Sequence, residues 1–147
     1  RGTAFVEVLQ NCPVFNEGVW DPVTDKSTAD ARQLRLKHGQ PLLFDGGKRG
    51  VRLRPDLVPE VVEIGDGPGQ YAVSQLLVHD ERAAPAFAFL LTQLTYPEMP
   101  IPLGILRAVE KTPYAQLVHD QIAAAVTTRG KGDLKKLLHS GMTWKVE

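Results

Sequence analysis

The stretch TAFVEVLQNCPVFN, residues Thr3–Asn16, contains the single cysteine of the 147-residue chain. Its first half, Thr3–Leu9, combines β-branched, aromatic and aliphatic residues in a pattern typical of a strand buried in a mostly parallel sheet. Pro13 cannot donate a hydrogen bond to a neighbouring strand, so the chain is expected to leave the strand at Cys12 and turn. The sequence therefore predicts the thiol at the carboxyl end of a strand, where ligands and cofactors collect in open α/β sheets.

Cys12 has two interpretations on this pattern alone, an inert side chain or a ligand. A lone cysteine after a strand is more often a small buried hydrophobe than a ligand, so the residue pattern by itself favours the inert side chain. One cysteine also excludes an internal disulfide framework, which agrees with a reducing compartment.

Charge and hydropathy exclude several classes of partner. Lysine plus arginine equals aspartate plus glutamate at 17 each, so no net field favours nucleic acid or an anionic membrane. The sequence has no apolar run long enough for a membrane span and no signal-peptide pattern at its amino end. These features predict a cytoplasmic protein that binds neither nucleic acid nor membrane.

The first half of the chain is predicted to form short elements separated by glycine and proline. A helical turn through Ala29–Arg32 is expected, followed by two short strands, Gln33–Leu36 and Pro41–Phe44, arranged as a hairpin. Strands at Val51–Leu53 and Leu57–Ile64 then extend this region into a small β-rich meander.

The second half is predicted to be richer in helix. Ala86–Leu94, beginning after Pro85, is apolar nearly all round and should be a helix buried on most sides. The prolines of Tyr96–Pro102 favour an extended segment. The remaining predictions are a strand at Leu103–Val109, helices at Tyr114–Thr127 and Asp133–His139, and a docking tail at Thr143–Val146.

Three polar motifs are interpreted as structural. Gly65–Gly67 has the Gly-Asp-Gly sequence of a thiamine-enzyme magnesium site, but no asparagine follows Asn16 to complete the oxygen shell, so a plain turn is favoured. Gly46–Gly50 lacks the spacing of a phosphate loop, which favours a solvated turn. His79 and His119 each precede an aspartate, but sequence neighbours point apart, and His79 is expected to bond to backbone.

Residues Gly2–Asn16 strongly resemble the β subunit of 2-oxoacid:ferredoxin oxidoreductases, particularly the 2-oxoglutarate type. Three later segments look like landmarks of the carboxyl-terminal half of that subunit: Lys37–Leu42 (KHGQPL), Val78–Glu81 (VHDE) and Pro102–Arg107 (PLGILR). The chain, which starts at Arg1, is therefore expected to be the carboxyl-terminal part of a longer subunit.

The resemblance implies an enzyme that oxidatively decarboxylates a 2-oxoacid, with 2-oxoglutarate expected, to its acyl-coenzyme A while reducing ferredoxin. In this family the β subunit binds thiamine diphosphate with magnesium and a four-iron, four-sulfur cluster. Cys12 then inherits the role of the last of four cluster ligands, which makes it both the cofactor-binding and the metal-binding residue of this chain. The other three cysteines and the thiamine motif lie upstream in the family, so the chain should be inactive alone and contains no expected catalytic residue.

The fold class implied by the resemblance is α/β. Residues 1–44 would be the tail of a thiamine-diphosphate-binding parallel-sheet domain, with the loop of the last cluster ligand. Residues 45–147 would be a small mixed α+β carboxyl-terminal extension. The implied partners are the α subunit of the same enzyme, ferredoxin, coenzyme A and the 2-oxoacid. The alternative is a non-catalytic assembly or docking module in which Cys12 is structural.

Overall fold

The structure is a computed structural model that describes residues 2–144 and 146. These residues divide into two compact units, one spanning Val6–Val109 and one made from the described residues of 1–5 and 110–147. The helices are α1 (Asp21–Thr24), α2 (Ala29–Arg32), α3 (Pro85–Thr92), α4 (Tyr114–Arg129) and α5 (Leu134–Leu138). The strands are β1 (Gln33–Arg35), β2 (Leu43–Phe44), β3 (Arg49–Leu53), β4 (Pro59–Glu63) and β5 (Ile101–Leu103), and turns of 3-10 helix lie at Asp45–Gly47 and Val73–Gln75.

The larger unit contains one antiparallel and one parallel sheet. Strands β2, β3 and β4 pair in sequence order, which confirms the predicted meander. Strand β1 instead pairs in parallel with β5, placing Gln33 opposite Ile101. The predicted hairpin of β1 with β2 is therefore wrong, because each of the two strands has a different partner. The result is a mixed α/β fold, compatible with the expected α+β extension.

The hydrophobic core lies where the two sheets meet α3. Val51, at the centre of β3, is fully buried, and its N–H donates to the Leu42 carbonyl at 2.9 Å. Gly50 beside it has no side chain because a Cβ there would lie 3.1 Å from the Leu42 oxygen and collide with the Leu76 methyl groups. The core side chains are Leu34, Leu36, Leu42, Phe44, Val51, Leu91 and Leu94.

Helix α3 begins at Pro85, as predicted, but it is not buried on most sides. Leu91 is fully buried in the core, whereas Phe89 is 67% exposed. A single apolar neighbour surface covers one face of a helix, so the opposite apolar face of α3 remains at the surface of this unit.

The predicted strand at Thr3–Leu9 is wrong: the described residues of this segment carry no strand. A strand exists only where its backbone pairs with a neighbour, and this segment has no such neighbour in the described chain. The side chains of Phe5, Val6 and Val8 are mostly exposed as a consequence. The assignment of residues 1–44 to the tail of a thiamine-diphosphate-binding domain, and of residues 45–147 to an extension, stays a prediction.

The region after α3 also differs from expectation. Tyr96–Pro97 is a cis peptide in a turn closed by a hydrogen bond from Met99 N–H to the Thr95 carbonyl at 3.0 Å, so this part is not extended. Strand β5 ends at Leu103, just where the predicted strand begins. Gly104 then adopts a φ of 127°, a conformation that side-chain-bearing residues rarely take, and this ends the strand.

The second unit contains α4 and α5. Gly130, with a φ of 81°, ends α4 as predicted, and Asp133 caps α5 by accepting a hydrogen bond from Lys136 N–H at 3.0 Å. The apolar residues of α4, including Leu117, Ile122 and Val126, are about half exposed. The predicted docking role of the tail stays a prediction; Trp144 is exposed, and Lys145 lies outside the described residues.

Candidate functional site

Cys12 lies at the start of a tight turn, Cys12–Asn16, which we call the Cys12 turn. The N–H of Asn16 donates to the Cys12 carbonyl at 2.9 Å, and the N–H of Cys12 donates to the Asn16 carbonyl at 3.4 Å. Pro13 occupies the first position inside the turn, where it needs no N–H donor. The turn predicted from Pro13 is therefore present, although no strand precedes it.

The backbone of the Cys12 turn makes the Cys12 thiol more acidic than usual. Hydrogen bonds from the backbone of Phe15, then of Val14, hold the pKa of the Cys12 thiol below its ordinary value, with Asn16 adding to the effect and slight desolvation opposing it. These donors stabilise a thiolate, the form of cysteine that binds metals. Cys12 is also only partly buried, so its sulfur is accessible.

This donor set fits one corner of an iron–sulfur cluster. Backbone N–H groups that donate to cysteine sulfur are a usual feature of cluster sites, where they tune the reduction potential. Within residues 2–144 and 146 no group of three or more histidine, cysteine, aspartate or glutamate side chains converges on one point. Cys12 can therefore supply a single ligand, and the rest of the shell would come from residues outside this chain.

Sequence reasoning missed the role of Asn11, the residue directly before Cys12, whose side chain makes two hydrogen bonds to the start of α1. Its amide oxygen accepts a hydrogen bond from Trp20 N–H at 2.9 Å, and its amide nitrogen donates to the Asp21 carboxylate at 2.7 Å. We call this arrangement the Asn11 clamp. Nothing in the pattern around Asn11 signals a partner ten residues later, except that Asp21 precedes Pro22 at a helix start.

The three later segments that resemble the oxidoreductase subunit meet at His79, which we call the His79 junction. His79 is 1% exposed, and its Nε2 lies 2.9 Å from the Ile105 carbonyl oxygen. Its backbone N–H donates to the Gln40 carbonyl, and its carbonyl accepts from Gly39 N–H, both at 2.8 Å. The expectation that His79 bonds to backbone is confirmed.

The ring of His79 also packs against Phe87 of α3, with ring centroids 6.0 Å apart. Because the Ile105 carbonyl oxygen can only accept, Nε2 of His79 is the donor in the hydrogen bond between them. The Nδ1 of His79 is buried and has no partner among the described residues. His79 therefore joins three segments and α3 in one structural contact, and its Nδ1 is shielded from solvent by burial.

His38 lies beside this junction but does not form a catalytic dyad. Its Nδ1 accepts a hydrogen bond from Glu81 N–H at 3.3 Å and also lies 3.5 Å from the Asp80 carboxylate. An unprotonated Nδ1 that accepts from Glu81 has no proton to donate to Asp80. Both side chains are about half exposed, so solvent screens the contact between them.

The glycine-rich motifs are structural in the described residues. In Gly65–Gly67 the backbone N–H of Gly67 donates to the Gln70 side chain at 2.9 Å, which closes a turn. Arg49, in the Gly46–Gly50 stretch, donates to the Asp45 carboxylate at 2.9 Å and to the Ala31 carbonyl at 2.8 Å. Its guanidinium also lies over the Phe44 ring, so this cation is already engaged within the chain.

None of the helices described here has the length and apolar content needed to cross a lipid bilayer.

A comparison with known proteins identifies a relative that aligns with the whole chain. The 2-oxoglutarate oxidoreductase subunit KorB of Mycobacterium tuberculosis is 32% identical to this chain over 151 aligned positions. The chain is a homologue of that subunit. The alignment covers the whole of this chain and 39% of the relative, so the chain spans about two fifths of the relative's length.

No protein-family profile matches the sequence, and no solved structure matches it. The similarity to KorB confirms the resemblance that residues Gly2–Asn16 and the three segments of the His79 junction indicated. The name of that relative describes it as a subunit of an oxidoreductase that acts on 2-oxoglutarate.

Proposed function

We propose that this chain is the carboxyl-terminal part of the β subunit of a cytoplasmic 2-oxoacid:ferredoxin oxidoreductase. The complete enzyme would oxidatively decarboxylate a 2-oxoacid, with 2-oxoglutarate as the leading candidate, form its acyl-coenzyme A and reduce ferredoxin. Thiamine diphosphate, magnesium and the α subunit would act with residues outside this chain. Support comes from the similarity to KorB along the whole chain.

In this proposal Cys12 supplies one of the four thiolates that hold a four-iron, four-sulfur cluster. The observation that carries the assignment is the similarity to KorB along the whole chain, and the lowered pKa of the Cys12 thiol in its turn agrees with it. The backbone groups that lower this pKa favour the thiolate before any metal binds, and in a cluster site they would add hydrogen bonds that tune its potential. The cluster would supply one-electron transfer, and this chain's part is to present the sulfur and its N–H donors in a fixed turn.

The test of the ligand assignment is Cys12→Ser in the intact subunit, assembled with its partner under anaerobic conditions. A serine side chain is nearly the same size as cysteine, but its hydroxyl is a far poorer ligand for iron. Iron and sulfide content should fall or the electron paramagnetic resonance signal of the reduced enzyme should change, and ferredoxin reduction should collapse.

Gln10→Ala is the matched control for this experiment, because Gln10 is exposed two residues before the cysteine. It should leave iron content, spectrum and rate as in the unmodified enzyme. An unchanged cluster signal and rate in Cys12→Ser would remove Cys12 from the ligand set.

The chain by itself should bind neither a complete cluster nor thiamine diphosphate, since it has one cysteine and no complete magnesium motif. Anaerobic reconstitution with iron and sulfide, followed by iron analysis, tests this expectation. A stoichiometric four-iron signal on the isolated chain would contradict it.

A second candidate function is assembly of the complex by the region after Phe44. The exposed apolar side chains of Phe89, Ile122 and Trp144 favour it, because such surface is normally covered by a partner. Under this proposal Asp80→Ala and Glu81→Ala leave turnover intact in the assembled enzyme. Loss of turnover with assembly preserved would show that the region takes part in the chemistry.

A further inference from the structure

We propose that Asn11 is a positioning residue for Cys12, acting through the Asn11 clamp. The inference rests on the proposed role of Cys12 as a cluster ligand and adds the residue that fixes where this ligand stands. Asn11 would touch neither cluster nor substrate. Its function would be to tie the chain just before the Cys12 turn to the first turn of α1, where Trp20 is the N-cap and Asp21 the first helical residue.

The polarity of the clamp allows only one orientation of the Asn11 side chain. Trp20 N–H is a donor, so it requires the amide oxygen, and the Asp21 carboxylate is an acceptor, so it requires the amide nitrogen. Both hydrogen bonds are made at once, at 2.9 Å and 2.7 Å. The hydrogen bond to the Asp21 carboxylate is charge-assisted, so it is stronger than the neutral hydrogen bond from Trp20 N–H.

The clamp closes the chain around the Cys12 turn. Residues 12–16 are held together by the two hydrogen bonds between Cys12 and Asn16, but these bonds are internal to the turn. The clamp is what joins the turn to α1, together with a hydrogen bond from Asp21 N–H to the Gly18 carbonyl at 3.1 Å.

Gly18 leaves room for this arrangement. It has a φ of 70°, and a Cβ on it would lie 3.1 Å from the Asp21 carboxylate. The loop backbone at Gly18 therefore passes close to the Asp21 carboxylate, which accepts the hydrogen bond from the Asn11 amide. The loop and the Asn11 clamp thus pack together.

Precise placement matters for a ligand that completes its shell with residues from elsewhere. A site held loosely by about 1 Å loses function even when all ligands are present. The backbone groups that lower the pKa of the Cys12 thiol belong to the same turn, so a displaced turn moves both the ligand and the groups that tune it.

The decisive variants exchange the polarity of the clamp. Asn11→Asp replaces the amide donor with a carboxylate that faces the Asp21 carboxylate, so the bond becomes a repulsion between like charges. The double variant Asn11→Asp with Asp21→Asn restores one donor and one acceptor with their positions exchanged. It keeps an oxygen at residue 11 for Trp20 N–H.

The first readout is amide hydrogen exchange of residues 12–16 in the chain itself, which needs no cluster. Asn11→Asp should speed exchange in this turn by about tenfold, and the double variant should recover most of that loss. Gln10→Ala should exchange like the unmodified chain, because Gln10 makes no side-chain hydrogen bond in the part of the chain that the structure describes.

The second readout is the midpoint potential and electron paramagnetic resonance spectrum of the cluster in the intact, anaerobically prepared enzyme. Asn11→Asp should shift the potential and broaden the spectrum, and the double variant should restore both. A purely structural role of Asn11 would alter stability without this paired loss and recovery of the cluster signature.

The outcomes separate this inference from the proposed function. If Asn11→Asp changes neither exchange nor cluster, or if the double variant is as disturbed as the single one, the positioning role is overturned. If Cys12→Ser removes the cluster in the same preparation, the ligand assignment stands despite that failure. If exchange responds and recovers as expected but Cys12→Ser leaves the cluster intact, the ligand assignment is overturned and Asn11 orders the turn without positioning a cluster ligand.

Discussion

His79 is 1% exposed and bonded to the backbone of two other segments, whereas Cys12 is partly exposed and its sulfur meets only the backbone of its own turn among the described residues. Both residues lie in segments that resemble the same oxidoreductase subunit. The difference shows that segments resembling the same subunit can do so for two reasons: some of their residues stabilise the fold, and others present a group to a binding partner. The His79 junction makes its backbone and Nε2 hydrogen bonds within the chain, which suits a residue that stabilises the fold, while the Cys12 turn leaves its sulfur accessible, as the proposed ligand role requires.

The largest effect on stability is expected in the core beneath the His79 junction. Leu91→Ala leaves a cavity at a fully buried position of α3, which should lower the free energy of unfolding by about 3 kcal/mol. Phe89→Ala, on the exposed side of the same helix, should change it by less than about 0.5 kcal/mol. Urea unfolding followed by circular dichroism measures both changes. Equal losses would show that the two faces of α3 contribute equally to stability despite their different burial.

His79→Ala tests the junction itself. It removes the hydrogen bond to the Ile105 carbonyl and the contact with Phe87, so the free energy of unfolding should fall by about 2 kcal/mol. His79→Gln keeps an N–H donor and should lose less. If the two variants were equally destabilised, the hydrogen bond would contribute little compared with the packing of the ring.

Arg49→Lys tests a second contact completed within the chain. Lysine cannot hold the Asp45 carboxylate and the Ala31 carbonyl together or lie flat over Phe44, so a loss of about 1 kcal/mol is expected. Arg54→Lys is the matched control, since its pairing with Asp56 is exposed, and its urea midpoint should not move. A larger change in Arg54→Lys than in Arg49→Lys would contradict this ranking.

The smallest effect on folding is expected at the Cys12 turn. Cys12→Ser should leave the urea midpoint of the chain unchanged, because the side chain is partly exposed and the turn is closed by backbone hydrogen bonds. A clear loss of stability would mean that Cys12 is a structural residue, like those at the His79 junction.

The reactivity of the Cys12 thiol tests whether the backbone of its turn acts on the sulfur. Backbone N–H groups of Phe15 and Val14 lower the pKa of the thiol, so alkylation by iodoacetamide should reach half its maximal rate at a lower pH in the folded chain than in urea. By linkage, the stabilising contribution of this thiolate is present above the unfolded pKa and is lost as pH falls through the folded pKa. The same midpoint in folded and unfolded chain would show that the donors do not act on the sulfur.

Elements fixed by local chemistry could be predicted from the sequence. Pro85 marks the start of α3, Gly130 the end of α4, and Asp133 the cap of α5, because each acts on backbone groups within one turn. The meander followed from alternation and turn residues. The turn at Cys12 followed from Pro13.

Elements fixed by a distant partner could not be predicted. The alternation of Gln33–Leu36 indicates a strand but not that its partner begins at Ile101. The run of β-branched, aromatic and aliphatic residues at Thr3–Leu9 has no strand partner in the described chain. The Asn11 clamp was missed for a related reason, since an asparagine beside a cysteine does not show which groups its amide will meet.

The parallel pairing of β1 with β5 also governs the order in which the chain can fold. Leu34 of β1 is fully buried, yet the strand that pairs beside it is translated only when synthesis reaches Ile101. Until then the nascent chain can complete the local β2–β4 meander but must leave one edge of its core open to solvent. Truncations that stop before Leu103 should therefore be substrates for chaperones and proteases, whereas those that stop after Val109 keep the strand that closes the core.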